Sequence, residues 1–145
     1  MDSNLLIKEY HNTNKYGDLL GISVSIPKLG NLECSMLIED KHLATPIAAH
    51  GGAIASLVDS SLGIVCLSIA MQEGKVVSTI ELSVKFLKPV FKGDFIKAYS
   101  EVISRGKRIY FAETRLYNQH NDLIASGAGT FNAYPMEKAG YELKQ

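Results

Sequence analysis

One carboxylate stands alone in the longest stretch of this sequence that carries no other formal charge. Between His42 and Gln72 the only formally charged side chain is Asp59. An ionised carboxylate in apolar surroundings costs several kcal/mol unless it is paired or hydrogen-bonded. Perturbed acids cluster at active sites, so Asp59 is a candidate for chemistry. The alternative is a structural carboxylate that buried donors satisfy.

The run that contains Asp59 opens with His50-Gly51-Gly52. Its Ala, Leu, Ile and Ser content predicts one long helix from Gly51 to about Met71, apolar on nearly all sides and therefore buried. Glycines at a helix start leave backbone N–H groups pointing outward at the positive end of the helix dipole. Such donors can hold a carbonyl oxygen as it becomes an oxyanion, while a carboxylate can activate water or attack a carbonyl itself. Together these groups are sufficient for thioester hydrolysis.

The spacing of the two groups favours a site built from two chains. Gly51 and Asp59 lie eight residues apart, which is about 12 Å along a helix, so one carbonyl cannot lie close to both. Two antiparallel copies of the helix would bring Gly51 of one chain near Asp59 of the other, and a symmetric dimer would hold two such sites. His50 falls on the opposite helix face from Asp59, about 13 Å away, which excludes a dyad or a metal pair within one chain. Small neighbours of Asp59, among them Ser56 and Gly63, would receive the partner chain or the acyl group.

Hydrophobic periodicity predicts the elements that position these groups. The first sixteen residues suit a short helix, and a period of two later predicts four strands with tight turns, joined as an antiparallel meander. A helix that is apolar on every side needs a sheet wrapped around it, with a second copy helping to close it. The sequence thus predicts a single α+β domain over residues 1–145. Before the long helix it predicts an apolar segment at Leu19–Val24, a strand at Asn31–Glu39 and a loop at Lys41–Ala49. The four strands of the meander are predicted at Thr79–Phe86, Phe95–Ser104, Ile109–Tyr117 and Leu123–Tyr134.

Several motifs together carry a family resemblance over roughly residues 14 to 135. They are Tyr16–Ile22, His50-Gly51-Gly52, Asp59, Gly63, Val84–Pro89 and Gly127–Phe131. With them the chain resembles a hotdog-fold acyl-CoA thioesterase of the phenylacetate-pathway type. The resemblance implies the hotdog fold, hydrolysis of an acyl-CoA to free acid and CoA, and a site shared across a dimer interface. It also implies a homodimer at least, with a homotetramer as the expected assembly.

The resemblance assigns expected roles to the residues around Asp59. Asp59 is the general base or the nucleophile, and the Gly51 N–H polarises the carbonyl, with Gly52 able to substitute or assist. His50 either caps the helix or contacts the thioester. Thr79 matches a position where some relatives carry a hydroxyl that places water, although an ordinary strand threonine is the alternative.

One position departs from the family's pattern. Many relatives carry Asn or Gln about six residues before the His, where this chain has Ala44. His42 or Thr45 would have to replace that amide.

Coenzyme A would need cationic partners for its phosphates. Lys and Arg recognise phosphate well, and the turn that holds Arg105, Lys107 and Arg108 is the best candidate, with solvated turns and strand faces as the alternative. The whole chain has 15 basic and 15 acidic residues, so net charge does not suggest a nucleic-acid partner, and no nucleic-acid-binding motif occurs. No metal and no cofactor beyond the CoA of the substrate are expected.

Three further features bear on the environment of the chain. The run Ala53–Met71 is long enough to span a membrane, but Asp59 near its centre and its four serines argue against a span. Cys34 and Cys66 have no CxxC spacing and are expected to be buried free thiols. Since the N-terminus lacks the pattern of a secretory signal, the expected location is the cytoplasm.

Two other functions remain open on the sequence. A non-catalytic acyl-CoA binder with this fold is favoured by Ala44, and a hotdog dehydratase acting on hydroxyacyl thioesters ranks below it because it pairs a His with an acid in another arrangement. The acyl group, the choice between CoA and a carrier protein, and the choice between general base and nucleophile for Asp59 also stay open.

Overall fold

The computed structural model describes Leu5, Lys8, Glu9 and residues 12–141. Half of the short helix predicted for about residues 1–16 falls on residues outside this part. Of the described residues there, Leu5, Lys8, Glu9, Asn12 and Thr13 are helical, and Lys15 and Tyr16 belong to the helix that follows. Along the chain the elements are α1 (Lys15–Leu20), β1 (Ser23–Lys28), β2 (Asn31–Leu37), α2 (Gly51–Ala70), β3 (Lys75–Phe86), β4 (Phe95–Arg105), β5 (Ile109–Tyr117) and β6 (Leu123–Pro135), with 3₁₀ turns at Asp40–His42, Met71–Glu73 and Met136–Ala139.

The sheet has six antiparallel strands in the order β1-β2-β4-β5-β6-β3. Helix α2 packs against every strand from β2 to β6. Its fully buried side chains, which include Leu57, Val58, Leu62 and Val65, form the centre of the hydrophobic core. The predicted α+β architecture, a sheet wrapped around one long central helix, is confirmed.

The predicted four-strand meander is wrong in one connection. Strands β4, β5 and β6 follow one another as neighbours, but β3 pairs with β6 and β4 pairs with β2. The β1–β2 hairpin occupies the edge of β4 that β3 would take in a consecutive meander, and β3 pairs with the free edge of β6 instead. Strand β3 therefore lies at an edge of the sheet. The apolar segment Leu19–Val24 also divides, into the end of α1, a turn at Gly21 and the start of β1.

Two glycines of β6 let α2 approach the sheet closely. A Cβ at Gly127 would clash with Val58 Cγ1 and lie 3.2 Å from the Ser83 carbonyl oxygen. A Cβ at Gly129 would lie 2.8 Å from Phe131 Cε2 and 3.2 Å from Leu62 Cδ1. The small residues of the last strand, noted in the sequence motif, thus set the distance between helix and sheet.

Helix α2 is not enclosed on all sides in one chain. One stripe along it, formed by Gly52, Ser56, Asp59, Gly63 and Leu67, stays exposed or half-exposed. The residues recur about every four positions, as expected for one face of a helix. Asp59 therefore meets solvent and a cavity rather than the apolar interior that the sequence suggested.

The start of α2 is held by a buried histidine. His42 Nδ1 accepts the Glu39 N–H at 2.9 Å, and its Nε2 lies 2.8 Å from the Leu20 carbonyl oxygen. Since Nδ1 accepts, the neutral ring carries its proton on Nε2 and donates it to Leu20. The His42 carbonyl oxygen in turn accepts the His50 N–H at 2.7 Å, so the end of α1 and the beginning of α2 are tied through one residue.

Two expectations about apolar segments can be compared with the structure. Cys34 and Cys66 are free and buried, as predicted, and burial raises the pKa of both thiols, that of Cys66 to about 12. The segment Gly51–Glu73 is long and apolar enough to cross a membrane. It is the helix at the centre of the sheet, and core helices of this kind satisfy the same length and composition.

We expect Gly127→Ala to lower the free energy of unfolding by about 1–3 kcal/mol, because the added methyl group overpacks the contact between α2 and β6. Chemical denaturation measures this difference. Gly106→Ala is the matched control, since its Cβ would meet only the Ile109 carbonyl oxygen at 3.8 Å. Equal stability of Gly127→Ala and wild type would contradict this account of the packing.

Candidate active site

Asp59 is hydrogen-bonded to the neighbouring edge strand. Thr79 Oγ1 on β3 donates to Asp59 Oδ1 at 2.8 Å. Helix α2 packs directly against β3, so the carboxylate and the hydroxyl are presented by two rigid elements. The contact leaves Asp59 Oδ2 available for water or substrate. Thr79, which the sequence left between two roles, directly contacts the candidate carboxylate.

A cavity of about 600 Å³ opens beside this pair. Its volume lies within the range of about 300–1,000 Å³ that is common for small-molecule sites. We call it the Asp59 cavity. Its walls come from α2, β3, β6, the start of α1 with the segment before it, and the segment that follows β6. The lining residues are Asp59, Ser60, Gly63, Ile64 and Leu67; Val76–Thr79; Phe131 and Tyr134; Thr13, Asn14 and Tyr16; and Ala139–Tyr141.

The N-terminus of α2 presents one open donor among the described residues. His50 Nδ1 accepts the Gly52 N–H at 2.7 Å, and the N–H groups of Ala53 and Ile54 donate to the His50 carbonyl oxygen. The N–H of Gly51 has no acceptor within residues 12–141. Of the two glycines, Gly51 therefore keeps its N–H free for a carbonyl oxygen. His50 caps the helix, and because its Nδ1 accepts, the neutral ring holds its proton on the exposed side at Nε2.

The open donor and the carboxylate lie on different cavities of the chain. Gly51 borders a second cavity of about 370 Å³, which Phe86, Leu87 and Pro89 also line. A Cβ at Gly51 would lie 3.6 Å from the Phe86 ring. Eight residues of helix separate Gly51 from Asp59, about 12 Å. Within one chain the two groups do not meet.

The residues proposed to replace the missing upstream amide are otherwise engaged. Both ring nitrogens of His42 are used in the core. Thr45 Oγ1 accepts the N–H groups of Ile47 and Ala48 in its own turn. Neither side chain reaches Asp59 in one chain, so the Thr79 hydroxyl is the group that orients the carboxylate there.

Ser56 contacts a residue whose role the sequence reasoning missed. The Tyr16 hydroxyl lies 2.9 Å from Ser56 Oγ, and Ser56 also donates to the Gly52 carbonyl oxygen. Tyr16 and Tyr141 both line the Asp59 cavity but come from opposite ends of the chain. No local pattern could have brought them together, although Tyr16 belongs to the motif Tyr16–Ile22.

The basic turn is partly occupied by structural contacts. Arg105 Nη2 lies 2.7 Å from Glu73 Oε1, and its Nη1 donates to the Tyr110 hydroxyl at 3.1 Å. The hydrogen bond to Glu73 raises the pKa of Arg105, and the same bond lowers the pKa of Glu73. Arg108 Nη2 makes a long bond of 3.4 Å to Asn132 Oδ1. Lys107 and Arg108 are thus more available to a phosphate than Arg105 is.

Comparison with known proteins identifies the family to which the chain belongs. The family model described as the thioesterase superfamily matches residues 48–125, which include both the glycines and the carboxylate. The chain is 26% identical over 129 residues to human acyl-coenzyme A thioesterase 13, covering 86% of this chain and 89% of that protein. It is 30% identical over 94 residues to a medium/long-chain acyl-CoA thioesterase of Escherichia coli, covering 57% of this chain and 60% of that one.

The fold is shared with solved structures. The PaaI protein of the E. coli phenylacetic acid degradation operon superposes with a TM-score of 0.80 at 23% identity, covering 88% of this chain and 89% of that one. At this identity the match establishes the fold. Because the family model covers more than half of the chain, the chain belongs to the thioesterase superfamily of thioester hydrolases and has its hotdog fold.

Proposed function

We propose that this protein hydrolyses acyl-CoA thioesters to the free acid and CoA at sites formed between two copies of the chain. The observation that carries the proposal is the Asp59 carboxylate, hydrogen-bonded by Thr79 at the wall of a cavity. The open Gly51 N–H on the same helix supplies the second group. The relatives named as acyl-CoA thioesterases support CoA as the thiol that leaves.

The exposed surface around Gly51 supports a dimer. Apolar side chains on β3 and the adjoining loops are about half-exposed or more: Ile47, Ile80, Phe86, Leu87 and Phe91. Strand β3 also lies at a sheet edge, where unpaired backbone groups are a template for another strand. A second copy related by a two-fold axis would cover this surface and place Gly51 of each copy against Asp59 of the other. A tetramer built from two such dimers remains part of the proposal.

In the proposed reaction the thioester carbonyl oxygen accepts the Gly51 N–H of the second copy. Asp59 Oδ2 takes a proton from water, whose oxygen attacks the carbonyl carbon, while Thr79 holds Oδ1. The tetrahedral intermediate places its negative oxygen on the Gly51 donor. Its collapse breaks the C–S bond, and the CoA thiolate receives the proton, with the exposed Nε2–H of His50 as a further donor to the sulfur. Water is the only co-reactant, so no cofactor or metal is needed.

Attack by Asp59 itself is the second form of the same proposal. The carboxylate would then form an anhydride with the acyl group, which water hydrolyses in a second step. In a single turnover in ¹⁸O-labelled water, label in Asp59 identifies an anhydride that water opens at the aspartyl carbonyl. Trapping of an acylated Asp59 with hydroxylamine identifies the anhydride whichever carbonyl water attacks. Label in the free acid alone, with no trapped intermediate, identifies general-base catalysis.

The proposed contacts to the phosphates of CoA rest on the general ability of Lys and Arg side chains to bind phosphate. Lys107 and Arg108 are proposed to contact the phosphates of CoA, and Arg105 to brace their turn through Glu73.

We expect Asp59→Asn to lower kcat by about 10²–10⁴-fold, the usual contribution of a general base. The amide keeps the shape of the side chain, so the fold should be retained. A panel of acyl-CoAs with a thiol reagent measures turnover, and Asp40→Asn, an exposed carboxylate outside the Asp59 cavity, is the matched control.

Other outcomes of the acyl-CoA panel would contradict the proposal. Equal turnover by Asp59→Asn and wild type would show that Asp59 is not the catalytic carboxylate. Binding of acyl-CoA without turnover would identify a non-catalytic binder. An unsaturated thioester formed from a hydroxyacyl-CoA, with no free thiol, would identify a dehydratase.

Thr79 is a positioning residue for Asp59, and its hydroxyl can be removed without changing its shape. We expect Thr79→Val to lower kcat about tenfold or more with little change in KM, because a hydrogen bond to a charged group contributes about 1.5–3 kcal/mol. Thr79→Ser, which keeps the donor, should recover most of the activity. Steady-state kinetics of wild type, Thr79→Val and Thr79→Ser measure the effects on kcat and on KM separately. Full activity of Thr79→Val together with a loss in Thr79→Ser would show that the methyl group matters and the hydroxyl does not.

Gly51→Pro removes the proposed oxyanion donor at a position that suits proline. Gly51 is the first residue of α2, where proline is well tolerated, and His50 before it has φ −67° and ψ 136°, a conformation that proline also favours in its predecessor. We expect the variant to fold and to be inactive, while Gly51→Ala, which keeps the N–H, stays active.

Mixing Gly51→Pro with Asp59→Asn tests whether the site is shared between copies. Each mixed dimer would hold one site with both changes and one with neither, so random reassortment should restore about a quarter of wild-type activity. Activity is measured after subunit exchange, with each variant alone as the control. If mixing restored nothing while mixed dimers formed, the donor and the carboxylate would belong to one chain.

A further inference from the structure

The Asp59 cavity extends away from the carboxylate along α2. Its helix wall continues from Asp59 through Gly63 and Ile64 to Leu67, eight residues that rise about 12 Å. The opposite wall is β3 from Thr79 back to Val76. Asp59 and Thr79, with their neighbours Ser60 and Ser78, form a polar end of the cavity. The walls that continue from them carry the apolar side chains of Ile64, Leu67, Val76, Val77 and Phe131.

Gly63 leaves space in this cavity, although a glycine destabilises the helix that contains it. Gly63 lies in the interior of α2, where glycine destabilises a helix relative to alanine. A Cβ there would meet only Phe131 Cε1, at the ordinary contact distance of 3.5 Å. Neither close packing nor a left-handed conformation requires the glycine. The space that its missing side chain leaves belongs to the Asp59 cavity, one helical turn beyond the carboxylate.

Near the two ends of the part of the chain that the structure describes, two residues contact each other at the cavity. The Tyr141 hydroxyl lies 3.1 Å from Thr13 Oγ1, across 128 positions of sequence. Thr13 Oγ1 donates its own proton to the Glu9 carbonyl oxygen at 3.0 Å, so Tyr141 donates to Thr13. Both residues line the cavity. We call this contact the terminal clasp.

We propose that the Asp59 cavity holds the acyl chain of the substrate and that the terminal clasp, together with Leu67, limits its length. The inference rests on the proposed function. The apolar walls of the cavity suit methylene groups, whereas the amides of the pantetheine arm would need partners there. In a zigzag of C–C bonds of about 1.5 Å each carbon advances a chain by about 1.3 Å, so a length of about 12 Å takes about nine carbons.

The test is the dependence of kcat/KM on acyl length, with saturated acyl-CoAs from two to about sixteen carbons. Each methylene that the cavity buries should raise kcat/KM about fourfold, and for wild type the rise should stop at about nine carbons. Tyr141→Ala opens the clasp and should extend the rise by about two carbons or more. Leu67→Phe fills the far end and should stop the rise about two carbons earlier.

Two further variants separate this role from damage to the fold. Tyr117→Ala removes another half-buried tyrosine, on β5 outside the cavity, and should leave the profile in place. Gly63→Ala should raise Tm, since alanine favours the helix, and yet lower kcat/KM for acyl chains, because its methyl group enters the cavity. A misfolded variant would not show that combination.

The outcomes distinguish the inference from the proposed function. Hydrolysis with a length profile that neither Tyr141→Ala nor Leu67→Phe moves would overturn the inference alone. A uniform change in KM at all lengths would overturn it too, since it would place the pantetheine arm in the cavity. Hydrolysis of no acyl-CoA by the wild type would overturn the proposed function and the inference together.

Discussion

The close contact between α2 and β6 sets the position of the whole candidate site. Gly127 and Gly129 remove the side chains that would otherwise hold the helix away from the sheet. Strand β3 lies directly beside β6, so the same contact fixes how far Asp59 on the helix lies from Thr79 on β3. The 2.8 Å hydrogen bond between them is therefore a consequence of how the core packs. Sequence motifs far apart in the chain act together at this one contact.

The rigidity of α2 explains why the two reactive groups cannot cooperate inside one chain. A helix cannot fold back on itself, so the Gly51 N–H at its first residue and Asp59 two turns later point to different cavities. The proposed dimer would account for three features that look unrelated in a single chain. The open stripe of α2, the exposed apolar groups around Gly51 and the unpaired edge of β3 all lie where a second copy would bring the groups together.

The sequence predicted the elements better than their arrangement. Helix α2 was expected from Gly51 to about Met71 and spans Gly51–Ala70, because composition and a glycine start are local signals. The place of β3 beside β6 was missed, since strand order depends on which neighbours cover the core and not on strand periodicity. Asp59 was found because an isolated charge is visible in sequence, but its half-exposed setting and the Thr79 bond depend on the packing of another element.

The contact between Thr13 and Tyr141 could not be predicted from the sequence. Thr13 and Tyr141 contact each other at the Asp59 cavity, yet the sequence places Thr13 only in a predicted short helix and Tyr141 outside every predicted element. Arg105 shows the opposite case. Its charge is visible in the sequence and suggested phosphate binding. Its ion pair with Glu73 could not be predicted, because it depends on the 3₁₀ turn after α2 lying next to the β4–β5 turn.

The division of the two groups between the ends of one helix also has a consequence for mass action. If sites form only between copies, an isolated chain is catalytically silent, and activity per molecule falls once the protein is diluted below its dissociation constant for dimers. A substrate that bridges two copies would oppose that dissociation, because it binds the assembled state better than the separate chains. The concentration of the protein would then act on turnover twice, through the number of molecules and through the fraction that is paired.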